Sequence, residues 1–275
     1  MRAELGAVFL LLLILGLAAL GYRLFFVDTI PGVVLQRVEG EVRTHSAEGS
    51  RASAAGERLQ VQDRVISGAG GRAVLSIGGG SELSLAEKST IQLLSVDAEG
   101  VHIALEGGRV DATVRPGSRR LDLTAGGQEF SSTDGDFSAA VDEEGNLAVR
   151  SSRGSLTAGD RVIQAGERLT PDGSAAENLL LTVDWPAARS NAARVWVQGR
   201  TEPGAKVRIT GPSGPLNTTA GKDGSYKVEM LLVEGENKLV VEATSLLGEV
   251  VRSESSLVRD TTAPTIRVQI SDQHP

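Results

Sequence analysis

The sequence predicts an all-β protein in which two β-rich units follow one N-terminal transmembrane helix. Three observations predict it. Past Val27, hydrophobic residues recur at every second position in short bursts, which is the period of half-buried strands. Glycine is abundant at 33 residues while Phe, Trp and Tyr together make up 3% of the chain, a balance that favours frequent tight turns over large helical cores. Leu5 to Tyr22 is a run of eighteen residues without a charge, long enough as a helix to cross most of a bilayer core of about 30 Å.

The apolar leader has no polar face, so lipid or a translocon is its physical destination. The run continues past Arg23 into Leu24, Phe25, Phe26 and Val27, which suits a retained anchor with a snorkelling arginine over residues 5–27. Met1 to Glu4 then form a cytoplasmic stub, and the C-terminal bulk lies outside the cytoplasm. The alternative is a secreted protein, because Ala19-Leu20-Gly21 offers small residues for signal cleavage before Tyr22.

At 275 residues the chain has room for about two domains. A formal charge of -7 and a pI near 5.2 would repel a phosphate backbone, so no nucleic-acid partner is expected. The absence of cysteine removes disulfides, thiolate metal sites and cysteine nucleophiles.

Alternation begins at Val38 to Val42 and continues through Ala73, Leu75 and Ile77, then Leu83 and Leu85, then Val101, Ile103 and Leu105. Turn signals separate these bursts at intervals of roughly ten residues: Gly70-Gly71, Gly78-Gly79-Gly80, Glu99-Gly100, Gly107-Gly108 and Pro116-Gly117. That spacing fits sandwiches, barrels and β-solenoids. Gly56-Glu57-Arg58-Leu59 recurs as Gly166-Glu167-Arg168-Leu169, and Asp63-Arg64-Val65-Ile66 recurs as Asp160-Arg161-Val162-Ile163. The two tetrapeptides swap order between copies, so they read as recurring turn-and-strand units and not as a duplicated domain.

The ordered series Val38-Glu39-Gly40-Glu41-Val42, Gly56 to Leu59, Asp63 to Gly68, Arg72 to Leu75 and Ser81 to Leu85 resembles the FecR domain. Val101 to Val114 resembles that family's later strand, Glu-Gly-Gly, strand portion. Phe130 to Leu169, with Thr133, Gly135, Phe137, Val141, Gly154 and Gly166, resembles the half that often follows. The resemblance covers residues 33–172 and implies an extracytoplasmic, rolled or solenoid-like β domain. It also implies a bacterial inner-membrane protein with a periplasmic C-terminal part, and as one alternative a FecR-type transmembrane signalling regulator. Family members that regulate sigma factors carry a cytoplasmic domain ahead of the membrane span; the stub here is too short to hold one.

Pro171 to Asn178 and Pro186 to Asn191 have linker composition, so residues 173–192 are expected to join the units, with Leu179 to Trp185 as strand or hinge. From Ala193 the alternation is cleaner: Val195 and Val197, Val207 and Ile209, then Tyr226, Val228 and Met230, then Leu239, Val241 and Ala243. Val197-Gln198-Gly199, Thr201, Pro203-Gly204-Ala205 and Val207, with Asp223 to Tyr226 and Glu234 to Asn237, resemble bacterial immunoglobulin-like modules. This implies a β-sandwich over residues 193–275. Asp260 to Pro264 resembles the seam between such modules, leaving Ile266, Val268 and Ile270 as a last edge strand or a tail.

No catalytic, cofactor or metal site is expected. His45, His102 and His274 have no paired ligand spacing. The acidic turns Asp134-Gly135-Asp136 and Asp142 to Asn146 match no EF-hand or calcium nonapeptide and are expected as solvated hairpins. Gly78-Gly79-Gly80-Ser81 lacks the lysine of a phosphate loop, and no Gly-x-Ser-x-Gly elbow occurs. The chain is therefore expected to bind and not to turn over a substrate, with an envelope protein or a cell-wall glycan as partner. Trp185 and Trp196 are the candidate contacts. Because Val195 and Val197 flank Trp196, valines in the core would leave the indole outward or packed between modules. A peptidoglycan- or polysaccharide-binding role is the second alternative, with an exposed Trp196 or an acidic loop cluster as its mark.

Overall fold

The computed structural model describes residues 32–170 and 173–262, and among these it is all β, with 23 strands and no helix. The expected membrane segment, residues 5–27, and the last edge strand or tail lie outside the described residues. Among the described residues no helix is long and apolar enough to cross a membrane.

The first unit comprises β1 (Val34–Glu39), β2 (Val42–Ser46), β3 (Gly49–Ala52), β4 (Arg64–Ser67), β5 (Arg72–Gly78), β6 (Ser81–Leu85), β7 (Thr90–Val96) and β8 (Gly100–Val114). It continues with β9 (Arg120–Ala125), β10 (Gln128–Ser132), β11 (Gly135–Val141), β12 (Leu147–Ala158), β13 (Arg161–Gln164), β14 (Arg168–Leu169) and β15 (Ala175–Ala176). One sheet runs β1-β5-β6-β8-β11-β12-β14-β15, and a second runs β3-β2-β4-β7-β8-β9-β10-β12-β13. The long strands β8 and β12 belong to both, so the sheet rolls over on itself. β8, β11, β12, β10 and β9 pair in succession and back to β8, closing a ring.

A strand can serve two sheets only if it bends and changes which side chains face inward. In β8 the buried positions are Val101, Ile103 and Leu105 before the bend but Val110, Ala112 and Val114 after it. The phase slips by one residue at Gly107-Gly108, as at a β-bulge. Gly108 sits at φ +85°, and a Cβ there would collide with Ser89 and the Lys88 carbonyl. The Glu-Gly-Gly segment is thus a corner of the roll. Gly154, at φ +72°, does the same in β12, where Val149 and Ser151 face inward before it and Leu156 after it. The interior they enclose is one apolar, mostly aliphatic core in which Leu35, Leu75, Leu83, Ile103, Leu121, Leu123 and Phe130 are fully buried. Each such side chain stabilises the fold by about 1.5–3 kcal/mol.

Residues 173–192, the expected linker, contribute strands at three places. β15 pairs with β14 of the first unit, while β16 (Leu181–Asp184) and β17 (Arg189–Ser190) belong to the second. The second unit continues with β18 (Arg194–Thr201), β19 (Lys206–Gly211), β20 (Gly214–Thr219), β21 (Ser225–Leu231), β22 (Gly235–Thr244) and β23 (Val250–Arg259). Sheets β16-β18-β21 and β17-β23-β22-β19-β20 face each other across Val195, Val197, Val207, Ile209, Met230, Leu239, Val241 and Ala243, the residues whose alternation marked them. Within the Glu234 to Asn237 turn, Asn237 is buried. Its amide accepts from Val233 N (2.8 Å) and donates to the carbonyls of Val233 and Gly235 (2.8 Å each).

Candidate functional site

Two features stand out beyond the cores: the joint between the units and the outer face of the three-stranded sheet. The joint forms where two turns of the second unit, Glu202 to Ala205 and Ser245 to Glu249, meet the outer face of β8, β11, β12 and β14. Ala140 and Ala148, which face away from the first core, are buried together with Leu247 and flanked by Leu246. Arg109 donates Nη1 to the Leu247 carbonyl at 2.8 Å. Gly204 lies so close to Asp142 and Asn146 that a Cβ there would strike both side chains.

At the centre is a chain of charges. Arg168, 2% exposed, pairs with Glu202, 4% exposed, donating Nη2 to Oε2 at 2.8 Å. Arg168 also pairs with Glu249, which in turn binds Arg150. Burial lowers the Arg168 guanidinium below its ordinary value, partly offset by Glu202; burial raises the Glu202 carboxyl, partly offset by Arg168. For a buried pair of this kind the cost of leaving water offsets much of the mutual attraction, and losing one partner strands the other's charge. Nothing in the sequence announces the joint. Its charged residues sit in or beside turns, and the same tetrapeptide with its arginine exposed at Arg58 shows that the local sequence does not call for burial.

The outer face of the second unit's small sheet is ordered by register. Alternation puts Trp196, Gln198 and Arg200 of β18 outward, as expected once Val195 and Val197 enter the core. Asp184, Gln198 and Lys227 align across three strands, and Thr182, Arg200 and Ser225 form the next row. These six residues, with Gly199, Tyr226 and, from the edge strand β20, Thr218 and Thr219, line an open trough of about 530 Å³. Trp196 is 52% exposed, with the Lys227 ammonium 4.5 Å from its ring centroid. It contacts solvent and Lys227 here, and the packing between units is made by other residues. Trp185, in contrast, is half-buried against the second core. The two tryptophans are not brought together as one contact. Beneath the trough, Tyr226 donates its hydroxyl to the Thr182 carbonyl at 3.0 Å; burial, then Asp184, push its phenol up to about 12.

The remaining candidates resolve locally. Asp142 accepts from Glu144 N (3.1 Å), Asn146 N (2.7 Å) and Asn146 Nδ2 (2.7 Å), so its oxygens serve its own turn. Asp136 and Asp134 are paired with Arg153, at 2.8 and 3.6 Å. His45 meets Ser50, and His102 meets Thr124. His274 lies outside the described residues. No cluster of three metal-ligating side chains occurs among the described residues.

The described residues thus form two β units, one rolled and one layered, joined through an ion chain whose central pair, Arg168 and Glu202, is buried. The family model that matches is described as FecR protein, over residues 63–157, which run from the turn before β4 into the second half of β12. No curated protein matches the chain with significance. Among solved structures, a tetra-tandem repeat from the extending region of a large adhesion protein is 14% identical over 83% of this chain and 68% of that one, with a TM-score of 0.28. A Ca2+-stabilised adhesin that helps an Antarctic bacterium reach out and bind ice is 13% identical over 84% of this chain and 69% of that one, with a TM-score of 0.22. At such scores neither likeness carries an argument.

Proposed function

We propose that this is a non-enzymatic, membrane-anchored protein of the bacterial envelope. It binds or scaffolds another envelope component through a FecR-like domain and an immunoglobulin-like module held in fixed relation in the periplasm. The observation that carries the reading is the joint. Arg168 and Glu202 are removed from water, and the half-buried Glu249 extends the pair, so the two units are joined in one geometry, which is useful where surfaces on both must meet a partner together. The family match over residues 63–157 supports the FecR part, the uncharged leader supports the anchor, and the two-layer core of the second unit supports the immunoglobulin-like part. A tether also raises the local concentration of partners in the same envelope.

The test combines a topology reporter after Pro275 with photo-crosslinking from the exposed faces in cells. A periplasmic signal and a reproducible crosslinked envelope partner are expected. A cytoplasmic reporter signal would overturn the reading, as would measured turnover of a substrate.

A further inference from the structure

We infer that the trough on the outer face of β16, β18 and β21 is a glycan-binding site, with Trp196 as the stacking platform and Asp184, Gln198 and Arg200 as the groups that read sugar hydroxyls. The inference rests on the envelope-binding reading above and names the partner class.

The lining chemistry selects the ligand. The centre of a protein-binding patch is depleted in Lys, Asp and Ser relative to the rest of the surface. This trough differs, since apart from Gly199 and the ring of Tyr226 its lining is polar: Thr182, Asp184, Gln198, Arg200, Ser225 and Lys227, with Thr218 and Thr219 at the β20 side. They include acceptor-only, donor-only and two-way groups, the mixture that neighbouring sugar hydroxyls require. Asp184, Gln198 and Lys227 stand in one cross-strand row and Thr182, Arg200 and Ser225 in the next, so six polar groups project from one face of the sheet in two adjacent rows.

The indole supplies what these groups lack, an apolar plane for the C–H face of a pyranose ring, on the face that the Lys227 ammonium does not cover. Trp196 lies two residues along β18 from Gln198, about 7 Å away at the rise of a strand. Arg200 lies the same distance further, so the platform and two polar rows extend over about 14 Å, room for two or three sugar rings. Lys227 joins the two parts, lining the trough while its ammonium lies 4.5 Å from the Trp196 ring centroid. The trough is open on the sheet surface, which suits the interior of a polymer better than a free monosaccharide.

The experiment uses the full chain in detergent micelles, co-sedimented with purified peptidoglycan sacculi and, in parallel, titrated with soluble chitohexaose. Binding to at least one is expected. Trp196→Ala should lower it at least tenfold, Asp184→Ala and Gln198→Ala several-fold, and Trp196→Tyr should retain part of it. Arg58→Ala, remote from the trough, should leave it unchanged. Unaltered thermal unfolding of Trp196→Ala, whose side chain points outward, establishes that the loss is not misfolding. The assignment is overturned if neither glycan binds or if Trp196→Ala binds as well as the parent. A protein crosslinked through position 196 in cells that lack glycan binding would keep the envelope-binding reading and remove the glycan. A cytoplasmic reporter after Pro275 would remove both.

Discussion

The tetrapeptide Gly-Glu-Arg-Leu occurs twice, and its two copies fold alike but end in opposite environments. In the first, Gly56 N donates to the Leu35 carbonyl (2.7 Å), Leu35 N donates to the Glu57 carbonyl (2.8 Å), and Glu57 Oε2 accepts from Ala54 N (3.2 Å). In the second, Gly166 N donates to the Ser151 carbonyl (2.8 Å), Ser151 N to the Glu167 carbonyl (2.9 Å), and Glu167 Oε2 accepts from Gln164 N (2.7 Å). The leading glycines have φ of +87° and +89°, and Arg58 opposes Val34 as Arg168 opposes Arg150. Yet Arg58 is exposed and Arg168 is 2% exposed beneath the second unit. Local sequence dictates the turn; what docks on it dictates the arginine's surroundings.

The largest test of that contrast is charge removal. Arg168→Met leaves Glu202 buried without its partner and should destabilise the chain by about 3–5 kcal/mol in urea unfolding. Arg58→Met should stay within about 0.5 kcal/mol. Equal effects would show that burial of the joint contributes nothing to the difference.

The second repeated tetrapeptide offers a smaller test. Val65 in β4 is 1% exposed, whereas Val162 in β13 is 47% exposed and its neighbour Ile163 is 1% exposed. The same four residues therefore present opposite faces inward, since a one-residue shift in register exchanges the faces of a strand. Val65→Ala should cost about 2 kcal/mol, and Val162→Ala less than about 0.5, when thermal unfolding is compared under identical conditions.

The smallest effects probe what the two turns share. Gly56→Ala and Gly166→Ala have open space at the added Cβ but a backbone that L-residues avoid. Each should cost about 1–2 kcal/mol, with the two values agreeing to within about 0.5. A large excess at Gly166 would mean that docking of the second unit strains the turn.

Much of the fold was legible because alternation is a local signal. Val101, Ile103 and Leu105, or Val207 and Ile209, declare an inward face without reference to the rest of the chain, and both sets are buried. The outward direction of Trp196 followed from the same rule. The polar rows beside it did not, because Asp184, Gln198 and Lys227 meet only through pairing among three strands distant in sequence. Within residues 173–192, β16 falls in the Leu179 to Trp185 stretch read as strand or hinge, while β15 and β17 were obscured by a Pro-, Ser- and Ala-rich composition that suits a linker as well as a short edge strand.

By itself, then, the sequence determined the strand period, the turn chemistry and the inward residues of most strands, since each depends on backbone geometry over a few positions. Only the tertiary structure decided that β8 and β12 would each serve two sheets, that Arg168 would leave water while Arg58 stayed in it, and that Asp184 would stand beside Gln198. Desolvation and cross-strand alignment are set by segments far along the chain, so no local pattern carries them.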